Sequence, residues 1–147
     1  MSMEKSSFEI EISASREAVW AALWNDHNYR EWTSAFIDGS YAESDWMQGS
    51  EIRFLSPKNS GMLSRIIKKD DNVAMVFEHE KEILNGELRE IPWKGAQESY
   101  FLFDKNGGTL LRCTLDVSAE FKDYFSTVFP LALQKVKEIA ERDSSRR

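Results

Sequence analysis

Two histidines and one cysteine are the whole supply of imidazole and thiol in this chain of 147 residues. His79 alternates with Met75 and Phe77, which aims its ring to the same side as those apolar residues. An imidazole inside an apolar cavity can exchange a proton near neutral pH. At the end of a strand it can equally be a satisfied or half-exposed side chain. His27 follows a helical pattern and reads as a surface residue. Glu78, Glu80 and Glu82 alternate with His79 and Lys81. Paired carboxylates can do acid–base work, but three on one face of one strand read as a solvated surface. Cys113 has no evident base beside it and reads as a small core residue. These few ligands, far apart, match no metal-binding spacing, so neither a metal nor a cofactor is expected. Gly107 and Gly108 lead into a strand pattern rather than a helix, which excludes a phosphate loop. No Ser-His-Asp set can be assembled, and no catalytic residue is nominated.

Aromatic surface is what the chain has in quantity: five Trp, nine Phe and four Tyr. Large flat side chains suit the wall of a cavity as well as a bulky core. The candidate lining is Trp32, Phe36, Phe54, Phe77, His79, Trp93, Phe101, Phe103, Phe125 and Phe129. Such a site would take a small hydrophobic molecule. Trp93 and the irregular segment 85–96 would gate it.

The elements that must hold these residues follow from periodicity. Phe8, Ile10 and Ile12 alternate with Glu9 and Glu11, a half-buried strand. Ser15 can cap a helix over 15–24 with Val19, Ala22 and Leu23 as its apolar stripe, widened by Trp20 and Trp24. A helical turn is expected over 27–32 and an edge strand over 40–45. Strands over 51–55, 62–69 and 73–79 follow. A hairpin over 97–104 and 109–117 is joined by Lys105-Asn-Gly-Gly108, in which both Asn-Gly and Gly-Gly tolerate the positive φ of a tight turn. In its first strand Phe101 and Phe103 are read as inward and Glu98 and Tyr100 as outward; in the second, Leu111, Cys113, Leu115 and Val117 share a face. A long amphipathic helix over 121–142 closes the chain. Pro130 either kinks that helix or lies in the first turn of one capped by Thr127. Residues 143–147 are expected to fray.

Two helical patterns flanking a run of strands imply an α+β architecture. One curved antiparallel sheet of about six or seven strands would wrap the long C-terminal helix, with one or two short helices after the first strand. The length fits a single domain over 1–147, able to bury roughly 70% of its unfolded surface. The net charge of −6 argues against nucleic acid and against an anionic membrane surface. No stretch approaches the ~20 apolar residues of a membrane span. Met1 to Lys5 shows no apolar signal region, so a cytoplasmic location is expected. Aromatic-rich sheets can self-associate, so both a monomer and a weak dimer are open.

Several local patterns carry a family resemblance. Ile12-Ser-Ala-Ser-Arg-Glu-Ala-Val-Trp-Ala-Ala-Leu23 resembles the strand-to-helix opening of the START-like (SRPBCC, birch-pollen-allergen-like) superfamily. Trp32 stands where that superfamily often has a tryptophan after its first helices. Gly49-Ser-Glu-Ile-Arg-Phe54 and Gly61-Met-Leu-Ser-Arg-Ile66 resemble its glycine-led early strands. Ser99-Tyr-Phe-Leu-Phe103 and Asn106-Gly-Gly-Thr-Leu-Leu-Arg-Cys-Thr114 resemble its final hairpin. Within the superfamily the chain looks most like the AHSA-type homologues of the heat-shock chaperone ATPase activator. The resemblance spans about residues 5–142, and its motifs are structural. It departs at segment 85–96, which is long for a hairpin, and at Pro130. It implies a helix-grip fold and, among the superfamily's many roles, three candidates for function. Non-enzymatic binding of a small hydrophobic ligand in a cavity between sheet and C-terminal helix comes first. A chaperone co-activator-like interaction module is the alternative. A cyclase or aromatase-type enzyme is the third, with His79 as its only nominated polar group.

Overall fold

In the computed structural model, which describes residues 3–145, the alternation at the N-terminus sets the first wall of the molecule. Strand β1 (Met3–Ile12) turns Phe8, Ile10 and Ile12 inward and Glu9 and Glu11 to solvent. Ser15 then caps α1 (Arg16–Trp24), its hydroxyl accepting from the Ala18 N–H at 3.2 Å. The chain restarts at once as α2 (Asp26–Thr33). Eight strands are complete after β2 (Tyr41–Glu43), β3 (Glu51–Leu55), β4 (Gly61–Asp70), β5 (Ala74–Leu84), β6 (Glu87–Arg89), β7 (Gln97–Lys105) and β8 (Gly108–Ser118). Helix α3 (Ala119–Ser145) follows directly.

All pairings are antiparallel, in the order β1-β8-β7-β5-β4-β3-β2, with β6 paired to the far part of β5. The strand beyond the expected six or seven is β6. Asn85 (φ 52) and Gly86 (φ 85) make a two-residue turn that sends the chain back along β5. Segment 85–96 therefore opens as a hairpin rather than as an irregular loop.

Register between β4 and β5 shifts twice. Ile67 is the extra residue of one shift: Ile66 is buried and Ile67 exposed. Glu80 is the extra residue of the other, since Ser64 pairs with His79 and Leu63 with Lys81. That bulge reverses the alternation, so Glu82 pairs with Met62 and turns to the same side as His79. The expectation of three outward glutamates on one strand fails at Glu82 for this reason.

Helix α3 is continuous through Pro130, which lies exposed in its middle rather than in a first turn. Thr127 does not cap; its hydroxyl donates to the Asp123 carbonyl within the helix at 3.1 Å. Phe129, Ala132, Leu133, Val136, Ile139 and Ala140 form the buried stripe, packed against β1, β8 and α1. The helix runs on through 143–145, where fraying is expected; residues 146–147 lie outside the described ones. At the centre, the Trp24 ring lies within 4.9–6.3 Å of Tyr29, Trp32, Trp46, Phe77 and Tyr100. The Trp32 indole N–H donates to the Leu23 carbonyl at 2.9 Å, tying α2 to α1. No described helix is long and apolar enough to cross a membrane.

Candidate ligand cavity

Sheet and C-terminal helix do not close on each other along their full length. The first turns of α3 stand clear, with Phe121 and Tyr124 exposed, and tight packing begins only at Phe129. The gap is a cavity of about 460 Å³, within the range of small-molecule sites. Tyr29 and Trp32 of α2, Phe36, and Phe125 and Phe129 of α3 form one side. Phe54 of β3, Tyr100 of β7, and Leu115 and Val117 of β8 form the other. Phe36 joins α2 to α3 within the first side, with ring centroids 6.5 Å from Trp32, 5.2 Å from Phe129 and 6.4 Å from Phe125. Exposed Met3, Ile37, Phe121 and Tyr124 rim the opening.

One pole of this apolar cavity is polar. His79 Nδ1 lies 2.7 Å from the Ser64 hydroxyl, and its Nε2 lies 3.7 Å from Glu98 Oε1. The Tyr100 hydroxyl donates to the other oxygen of Glu98. The Trp93 ring meets His79 edge-on at 6.0 Å. Ser64 is fully buried, so the Ser64–His79–Glu98 array offers no accessible nucleophile. It is a hydrogen-bonding pole.

Burial governs the titration of the neighbouring hydroxyls and thiol. It pushes Tyr29 and Tyr100 well above the ordinary phenol value, and the Glu98 charge adds to the rise in both. Both therefore remain neutral donors. Burial, with Glu98 second, likewise raises the Cys113 thiol, which stays protonated within the core. At Asp116 burial pulls upward. The Lys5 ammonium at 2.8 Å and the Gln97 backbone N–H at 2.9 Å outweigh it and hold the carboxyl below its usual range.

Seven of the ten nominated residues line the cavity: Trp32, Phe36, Phe54, His79, Trp93, Phe125 and Phe129. Phe77 faces inward but lies beneath the wall, enclosed by Phe54 at 5.0 Å, Trp24 at 5.5 Å and Tyr100 at 6.2 Å. Phe101 and Phe103 are on the opposite face of the sheet. Phe103 is 42% exposed and carries the Arg112 guanidinium over its ring at 5.0 Å. Conversely Glu98 and Tyr100, read as outward, point in.

The signal for this parity was present in the hairpin turn. A two-residue turn at Asn106 and Gly107 pairs Lys105 with Gly108, and so Leu102 with Leu111 and Tyr100 with Cys113. The face of β8 was unambiguous, and the register transfers it to β7. Tyr29, by contrast, sits in a polar stretch of α2, and the sequence offers no comparable signal for it.

No protein-family model matches the chain, and no curated protein matches its sequence. Solved structures resemble it over nearly its whole length. The Aha1 dimer from Colwellia psychrerythraea superposes with a TM-score of 0.71 at 22% identity, covering 95% of this chain and 97% of that one. The AHSA1-like protein from Aeromonas hydrophila gives 0.70 at 16% identity, with 95% and 94% covered. Protein MLL2253 from Mesorhizobium loti gives 0.72 at 14% identity, with 95% and 98% covered.

Proposed function

We propose that this chain, which has the AHSA/SRPBCC-like helix-grip fold, binds a small hydrophobic molecule between its sheet and its C-terminal helix. One observation carries the reading: the cavity of about 460 Å³ is walled mainly by aromatic and aliphatic side chains, apart from its polar pole, and opens to solvent beside exposed Met3, Ile37, Phe121 and Tyr124. Close-packed interiors leave few voids larger than a water molecule. Apolar area removed from water would supply affinity at roughly 25 cal/mol per Å², less the cost of ordering the ligand. Trp93, beside His79, stands over the polar pole and would close on a bound molecule.

Titration with N-phenyl-1-naphthylamine, an uncharged fluorescent probe, tests this reading. Saturable uptake at one site per chain is expected. Leu115→Trp, which projects an indole into the cavity from β8, should abolish it while leaving the circular dichroism spectrum unchanged. Non-saturable uptake, or uptake indifferent to Leu115→Trp, would refute the reading.

A second reading, an interaction module, draws on the exposed Ile37, Phe121 and Tyr124 around the opening. A partner seated there would cover the mouth and compete with the probe. Sedimentation at rising protein concentration, with and without the probe, separates the two.

A further inference from the structure

The cavity's charge is one-sided. Among the described residues no lysine or arginine lines it, whereas Glu98 projects into it, Glu82 stands at its edge, and Asp116 lines it already paired with the Lys5 ammonium at 2.8 Å. His79 is the single basic side chain there. Glu98 is only partly satisfied. Tyr100 donates to one carboxylate oxygen; the other accepts no hydrogen bond among the described residues and lies 3.7 Å from His79 Nε2. The Glu98 side chain is 25% exposed, so this oxygen is reachable from the cavity and can accept from a ligand's donor in place of water.

Tyr29 supplies an independent observation. It is 7% exposed, lines the cavity, and its hydroxyl has no hydrogen-bond partner among the described residues. The hydroxyl is not sealed in the core: among the described residues the buried side-chain polar atom without a partner is Trp24 Nε1, so the Tyr29 oxygen opens on the cavity, where a ligand can reach it. Tyr29 and Tyr100, the residue that holds Glu98, both pack against Trp32, with ring centroids at 5.5 Å and 6.2 Å, which gathers the two groups around one ring of the cavity lining. The aromatic faces of Trp32, Phe54 and Trp93 around them favour a cation over an anion.

Building on the cavity-binding reading above, the geometry points to a ligand with an apolar body and a protonated primary or secondary amine. Its N–H groups would be donated to the open oxygen of Glu98 and to the Tyr29 hydroxyl. A fatty or aromatic carboxylic acid would instead bring an anion to Glu98 with no lysine or arginine to receive it. An uncharged alcohol would satisfy one acceptor without neutralising the carboxylate.

Calorimetric titration with a matched set, 2-naphthylmethylamine, 2-naphthylmethanol and 2-naphthoate, tests the assignment at neutral pH. The amine is expected to bind at least about tenfold more tightly than the alcohol, the size of one charge-assisted hydrogen bond. The carboxylate should bind weakest of the three. Glu98→Gln keeps the shape and an acceptor for Tyr100, and should bring amine and alcohol to equal affinity. Tyr29→Phe keeps the ring packing and should weaken the amine several-fold, so the inference does not hang on the folding of a single variant. Equal affinities in the wild type, or a preference for the carboxylate, would overturn the amine assignment while leaving the cavity reading intact. Failure of all three naphthyl probes and of N-phenyl-1-naphthylamine to bind would overturn both.

Discussion

Phe129→Ala probes the seam between α3 and the sheet, on which the existence of the cavity depends. Phe129 is 2% exposed. Its ring is stacked on Phe8 of β1 with centroids 5.1 Å apart and planes 9° apart, and meets Phe36 edge-on at 5.2 Å and Phe125 at 6.4 Å. Truncating a buried phenylalanine to alanine costs about 3–5 kcal/mol, the sum of lost transfer energy and the cavity left behind. Here one flank of the ring already faces the cavity rather than packed atoms, so the lower end, about 3 kcal/mol, is expected. With a urea m-value of about 2 kcal/mol/M, the unfolding midpoint should fall by roughly 1.5 M. Tryptophan fluorescence in a urea series reads this directly. The vacated space joins the existing cavity, so Phe129→Ala should also accept a bulkier apolar probe than the wild type does. A loss within about 0.5 kcal/mol, the range of ordinary surface substitutions, would refute the packed seam. A full loss of stability with no change in the size of probe accepted would refute the claim that this ring bounds the cavity.

Three further outcomes are expected. Gly61→Ala should destabilise by at least about 2 kcal/mol, because an added Cβ would overlap the Phe54 carbonyl oxygen across the β3–β4 pairing; thermal unfolding measures it. Asp116 should show a definite pH signature. Its folded-state value lies below that of an unfolded aspartate, about 3.9. The stability it contributes is therefore present above that pH and lost as pH falls through the folded value. Wild type should be more stable than Asp116→Asn at about pH 6, and the gap should close below about pH 3, as urea titrations at several pH values would show. Trp93→Ala should weaken binding of N-phenyl-1-naphthylamine while changing the urea midpoint little, since Trp93 is half-buried and, among the described residues, its one ring contact is with His79.

Much of the fold was legible because local signals agreed with one another. The Phe8, Ile10 and Ile12 alternation, the Ser15 cap, and the Asn106–Gly107 turn each specify one element and its orientation. The lining of the candidate cavity was legible where an aromatic residue stood on an element of unambiguous face, as Phe54 on β3 and Phe125 and Phe129 on α3 do. It failed on β7, where both alternations are apolar: Tyr100 and Leu102 on one face, Phe101 and Phe103 on the other. Hydrophobicity alone cannot choose between such faces; only the register inherited from β8 can. Glu82 was missed because a bulge at Glu80, invisible to a period-two reading, turned it. Glu98 was missed along with Tyr100: both alternate with Phe101 and Phe103, and taking those two as inward turned Glu98 out, whereas the register pairs it with Leu115 on the inner face. Local rules fail here at the polar pole, where a structure built only for stability would have least reason to break them.

The most direct test of the central claim is native mass spectrometry of the protein purified from its own host, with the same sample then measured under denaturing conditions. A small apolar molecule bound at one per chain, released on denaturation and excluded by Leu115→Trp, is the result expected. An empty protein that also fails to take up N-phenyl-1-naphthylamine would contradict the account.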